Sequence, residues 1–204
     1  MNLKPAQTLP ENYSPAGTLD LSKDNRALVL MNLLAVGILA LSGYVFLVIL
    51  IRLRPVDGAQ ALSYSITGAG GFLLALAYIA GLYAAVIVLH EAVHGIFFWV
   101  FTRTRPKFAF KIWYAYAAAP GWYLPRNLYA LVAISPLVVL SLLGMLLFLF
   151  IPAWMLLPVF LFITFNASGA VGDIVVLFWL FSKPPSCLAH DQGDAVTLYI
   201  RVGS

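Results

Sequence analysis

Two histidines flank a short helical turn in Val88-Leu89-His90-Glu91-Ala92-Val93-His94-Gly95. On a helix, residues four apart sit one above the other, so His90 and His94 present their imidazoles to one point. That geometry suits a zinc ion. Glu91 lies beside it, placed to take a proton from a water on the metal. From Gly71 to Phe101 the surrounding chain is apolar. Ionisable groups inside such a run are costly, which points to function. The structural alternative is a buried polar cluster that only joins helices.

A catalytic zinc usually has three protein ligands and one open position. Glu91 and Asp173 are the only acidic residues inside the apolar stretches of membrane length. Asp173 is therefore the candidate third ligand; pairing with a basic or hydroxyl group is the other reading. Asn166 precedes it by seven residues, almost two helical turns, and so shares its face. A substrate-facing role and interhelical hydrogen bonding are both open to Asn166. Asp173 lies 8 residues before Phe181, about 12 Å along a helix. His94 and His90 lie 7 and 11 residues before Phe101, about 10 and 16 Å. If the two helices run in parallel, the three ligands fall at comparable depth. His190, in the polar tail, reads as an ordinary surface histidine.

The elements that must position these residues follow from composition. Of 204 residues, 62% are hydrophobic and 10% charged, with a mean hydropathy of +0.93. A soluble domain is about 45–50% apolar and about 25% charged. The chain reads as an integral membrane protein in contact with a lipid bilayer, and its net charge of +4 needs no nucleic-acid partner. Cys187 is the single cysteine, so no intrachain disulfide can form. The expected fold class is all-α. It has four transmembrane helices, with a short β-strand or hairpin element between helices 2 and 3.

In chain order, residues 1–26 form an N-terminal arm whose Pro5, Pro10 and Pro15 oppose a long helix. Residues 27–181 form the membrane domain, and 182–204 a tail. The first span, 27–51, ends at Arg52 and Arg54; it is too long for a cleavable signal. A glycine-rich connection with Gly68, Gly70 and Gly71 follows. The second span covers 71–101, the third 127–151 with Pro136 inside it, and the fourth 153–181. The short link at Ile151-Pro152-Ala153 makes the last two an antiparallel hairpin. Between spans two and three, Phe108, Phe110, Ile112, Tyr114 and Tyr116 alternate, which reads as a strand with an aromatic face. That strand could hold an extended peptide or form a membrane-interface belt. Pro120-Gly121 marks a turn. Val196, Leu198, Ile200 and Val202 alternate too, so the tail offers a partner strand. Four spans place ten of the twelve Lys and Arg residues on the side of both termini, leaving only Arg52 and Arg54 opposite. Both termini are expected in the cytoplasm.

At these residues the chain resembles a bacterial family of putative zincin membrane peptidases. More distantly it is similar to the site-2 protease group of intramembrane metalloproteases. That group carries H-E-x-x-H on one membrane helix and an Asp ligand on a later one, preceded by an Asn-containing motif. His90, Glu91 and His94 match the first element; Asn166 and Asp173 match the second. The chain has Gly169 where the group has Pro, and Gly172 and Ile174 flank the Asp where the group has Leu and Gly. The resemblance implies a protein of the bacterial cytoplasmic membrane that binds Zn²⁺.

The expected activity is a zinc-dependent endopeptidase cleaving membrane proteins or membrane-associated peptides. His90, His94 and Asp173 would be its ligands, Glu91 its general base, and Asn166 a contact to the substrate backbone or oxyanion. A metal-binding transporter or sensor, or an inactive peptidase-like scaffold, uses the same residues differently. Helices one and three offer almost no polar groups for a transport path, and zinc does not need Glu91 as a ligand. Four helices are few to enclose a site, which leaves room for a homo-oligomer.

Overall fold

The computed structural model describes residues 4–20, 25–61, 65–110, 115–193 and 195–202. Its elements in order are β1 (Tyr13–Leu19), α1 (Asn25–Leu53), α2 (Pro55–Ala61), α3 (Gly68–Thr102), β2 (Lys107–Phe110), β3 (Ala115–Ala118) and β4 (Tyr123–Pro125). Then come α4 (Arg126–Leu147), a 3-10 turn at Ala153–Met155, α5 (Leu156–Gly169), α6 (Val171–Phe181), β5 (Leu188–Asp191) and β6 (Val196–Arg201).

Among the described residues, three helices are long and apolar enough to cross a membrane: Leu28–Leu53, Gly68–Thr102 and Arg126–Leu147. A fourth crossing exists if Ala153–Gly169 and Val171–Phe181, bent by 41°, count as one. Leu33, Val36 and Tyr44 on α1, and Phe72, Leu73 and Leu74 on α3, are exposed. So much apolar surface on long helices points to a membrane protein.

The fourth helix differs from the continuous one expected over 153–181. It breaks at Ala170, whose ψ of 6° leaves the helical range. Gly169 and Gly172 flank the break, and glycine is a poor helix former. Asn166 therefore belongs to α5 and Asp173 to α6. The connection after Arg52 also differs. It contains α2, and Gly70 and Gly71 already belong to α3.

The chain divides into two compact units, with the boundary between His90 and Glu91 on α3. The first comprises Met1–Asn32, Glu91–Pro136 and Val171–Ser204. It holds a four-stranded antiparallel sheet of order β1-β6-β5-β4 and a two-stranded sheet of β2 and β3. The all-α expectation thus omitted this larger sheet. The aromatic run is not one strand. Phe108 and Phe110 lie on β2 and Tyr116 on β3, paired as a hairpin; Ile112 and Tyr114 fall outside the described residues. The tail does form a strand, but its partners are β1 and β5. Nothing local in β6 distinguishes these edges from that of β2.

Pro120-Gly121 turns the chain as expected. Trp122 N–H donates to Ala119 O at 3.2 Å, and Gly121 takes φ 80°, which a type II turn demands at its third residue. This unit's core joins Phe98 of α3, Val132 of α4 and Leu180 of α6 to Leu124, Ala189 and Leu198 of the sheet.

The second unit comprises Leu33–His90 and Leu137–Ala170. Phe46, Leu50, Phe148, Leu156 and Ile163 pack together there. Arg54 ties its loop end. The guanidinium donates to the Phe148 and Ile151 carbonyls at 3.1 Å each and pairs with Asp57. These carbonyls follow the end of α4, where the helix itself supplies no donors.

Candidate metal centre

The helical run of α3 places His90 and His94 one turn apart, and both are buried. Each ring is held through Nδ1. His94 Nδ1 lies 2.9 Å from the Val132 carbonyl oxygen. A carbonyl only accepts, so Nδ1 carries the hydrogen, and in the neutral ring Nε2 carries the lone pair. His90 Nδ1 lies 3.0 Å from Asn166 Oδ1, with the same consequence when that oxygen accepts. This is the arrangement of metal-ligating histidines, whose other nitrogen donates to a carbonyl or carboxylate.

His94 Nε2 faces Asp173 Oδ1 at 3.3 Å. Two atoms presenting lone pairs to one another call for a cation, either a proton on the ring or a metal ion. The separation exceeds the roughly 2.7–2.9 Å of a charge-assisted hydrogen bond. Two ligands each about 2.0–2.2 Å from a tetrahedral zinc stand about 3.3–3.6 Å apart. One ligand atom from each of His90, His94 and Asp173 lies within 4.8 Å of the others. The donor set of two imidazoles and one carboxylate suits Zn²⁺. The residues present therefore fit the ion.

Glu91 is half-buried, and its Oε2 accepts the Ala117 N–H at 2.7 Å. A strand amide of β3 thus orients the carboxylate beside the first histidine. Gly95 allows this strand pair to come close. A Cβ there would run into the Phe108 ring and approach Pro106 Cγ to 3.3 Å. Asn166 is fully buried, with its side chain on His90.

One pair went unmarked in the sequence. Tyr129 OH donates to Asp191 Oδ2 at 2.8 Å, and Gly193 N–H to Asp191 Oδ1 at 2.7 Å. Both side chains are buried, and burial pushes the Asp191 carboxyl above the usual carboxylate range. Tyr129 and Val132 are three apart on α4 and share a face, so this pair anchors the helix surface that holds His94. No local pattern in the tail identifies Asp191. His190 stands apart from the metal group. It stacks on Tyr123 with centroids 4.7 Å apart and is half-buried rather than a plain surface residue. Cys187 is buried, with its thiol pushed up to about 11 by burial, and makes a poor nucleophile.

Residues 83–188, just over half the chain, match the family described as "Putative zincin peptidase". No curated protein and no solved structure matches.

Proposed function

The chain belongs to the putative zincin peptidase family, and from that membership we propose that it is a zinc-dependent, membrane-embedded endopeptidase. The observation that carries this reading is His94 Nε2 facing Asp173 Oδ1 at 3.3 Å while Nδ1 is committed to Val132. His90, His94 and Asp173 would hold the ion. When bound, zinc supplies a Lewis acid that acidifies water and polarises a carbonyl oxygen.

The chain's own groups do the rest. Glu91 is the general base. Ala117 N–H holds Oε2 and so orients the carboxylate, which takes the proton from water and later returns it to the leaving amine. Full burial and the bond to His90 support a positioning role for Asn166, orienting that ring, over contact with substrate. The β2 edge of the β2–β3 hairpin could receive an extended peptide; the outer edge of β3 already gives its Ala117 N–H to Glu91. An extended substrate presents the carbonyl that a helix would hide in its own hydrogen bonds. The substrate class is a membrane protein or membrane-associated peptide.

The four-stranded sheet supports four crossings. Open strand edges do not sit in lipid, so β1, β4, β5 and β6 leave the bilayer on one face. An even number of crossings must then separate β1 from β4, and β4 from β5. Helices α1 and α3 supply the first two; α4 and the bent α5–α6 pair, as one span, supply the others. The ten-to-two distribution of basic residues favours that face as cytoplasmic.

The test compares purified protein with its Glu91→Gln variant. Metal content and cleavage of a membrane-anchored peptide are both measured. Gln keeps an oxygen for the Ala117 N–H, so the variant should retain zinc and lose cleavage. Undiminished cleavage by the variant, or wild-type protein that takes up no zinc, overturns the reading.

A further inference from the structure

Pro136 sits inside α4 and is fully buried. In an α-helix the N–H of residue i donates to the carbonyl of residue i−4. Proline has no N–H, so the Val132 carbonyl lacks its helical donor. Two side chains converge on that oxygen instead: His94 Nδ1–H at 2.9 Å and Ser135 Oγ–H at 2.7 Å. A carbonyl oxygen has two lone pairs, and these two donors fill them.

We infer that Pro136 is a positioning residue for the metal centre, opening the Val132 carbonyl so that a rigid helix sets the tautomer and orientation of His94. The inference rests on the reading of His94 as a zinc ligand. Its physical content is a competition for one oxygen. An alanine at position 136 would bring a third donor to Val132 O, aligned along the helix axis. The helical N–H has the best geometry, so the His94 bond weakens. The Nδ1–H tautomer is then less favoured, and Nε2 less often presents its lone pair beside Asp173.

Ser135 makes the proposal separable from a plain kink. Ser135→Ala removes one donor and leaves His94 bonded, so zinc affinity should stay within about twofold. Pro136→Ala should weaken zinc binding about tenfold, the lower end of the 10–100-fold effect of losing an outer partner. In the double variant two donors again meet two lone pairs, and affinity should recover. A proline that serves only to bend α4 gives no such rescue.

The experiment is a zinc titration of the detergent-solubilised full chain and its variants against a chelator of known affinity. Nitrogen-15 histidine spectra of metal-free protein are recorded alongside, at a pH high enough that the His94 ring is neutral and its tautomer can be read. Wild type should show His94 protonated at Nδ1, and Pro136→Ala a mixture of tautomers. Unchanged affinity and an unchanged tautomer in Pro136→Ala overturn the inference, as does an Nε2–H tautomer in wild type. If Pro136→Ala fails to fold, the double variant is compared with Ser135→Ala, and a lower affinity of at least tenfold in the double overturns the competition. His94→Ala is the reference. If it keeps full zinc affinity, the ligand assignment fails, while the tautomer spectra still decide the role of Pro136.

Discussion

Replacing Asp173 by asparagine tests the spatial argument most directly. The side chain keeps its size, and an amide oxygen can occupy the place of Oδ1, 3.3 Å from His94 Nε2. What disappears is the negative charge and one anionic ligand. Four-ligand zinc sites bind with apparent free energies of about 10–16 kcal/mol, or about 2.5–4 kcal/mol per ligand. At about 1.4 kcal/mol per decade, Asp173→Asn should weaken zinc binding by about two to three decades. Competition titration with a chromophoric chelator reads the change. Thermal unfolding gives a second measure. Zinc at about 100 times the wild-type Kd stabilises the folded protein by about 2.7 kcal/mol. At that same concentration the variant should lose most of the stabilisation. The metal-free variant loses the Asp173 charge beside His94 but keeps its apolar packing, so it should still unfold cooperatively, which separates loss of a ligand from loss of the fold. Wild-type affinity in Asp173→Asn would show that the carboxylate is no ligand. A two-histidine site falls short of the three ligands expected for catalysis, and the peptidase reading would fall with it.

Two further outcomes are expected. Cysteines placed at exposed Arg105 and Gln60 should label from opposite sides of the membrane, with little background from buried Cys187; labelling from the same side would refute four crossings. Tyr129→Phe removes the 2.8 Å hydrogen bond to the buried Asp191 carboxylate. It should lower stability by about 1.5–3 kcal/mol in denaturant unfolding, and a loss below about 0.5 kcal/mol would mean that the pair does not anchor α4.

What the amino-acid order determined alone is what depends on near neighbours. The spacing of His90 and His94 places two imidazoles on one helix face because a helix repeats every 3.6 residues. Apolar runs of membrane length with almost no charge mark α1, α3 and α4 because burying a charge in lipid is costly. Pro120-Gly121 turns because only glycine takes φ 80° without strain. Asp173 could be singled out because acidic residues are so scarce in these runs. Tertiary structure decided whatever joins distant segments. Alternation in the tail predicts a strand, but an exposed strand edge accepts any complementary partner, so β1 and β5 could not be chosen from β6 alone. The break at Ala170 carries only a weak glycine signal. The outer partners of the histidines, Val132 O and Asn166 Oδ1, are invisible to spacing because one is a backbone atom and the other lies 76 residues from its ring. Pro136 was plain in the sequence as a helix irregularity. Only the packing of α3 against α4 turned its missing N–H into a hydrogen bond for His94.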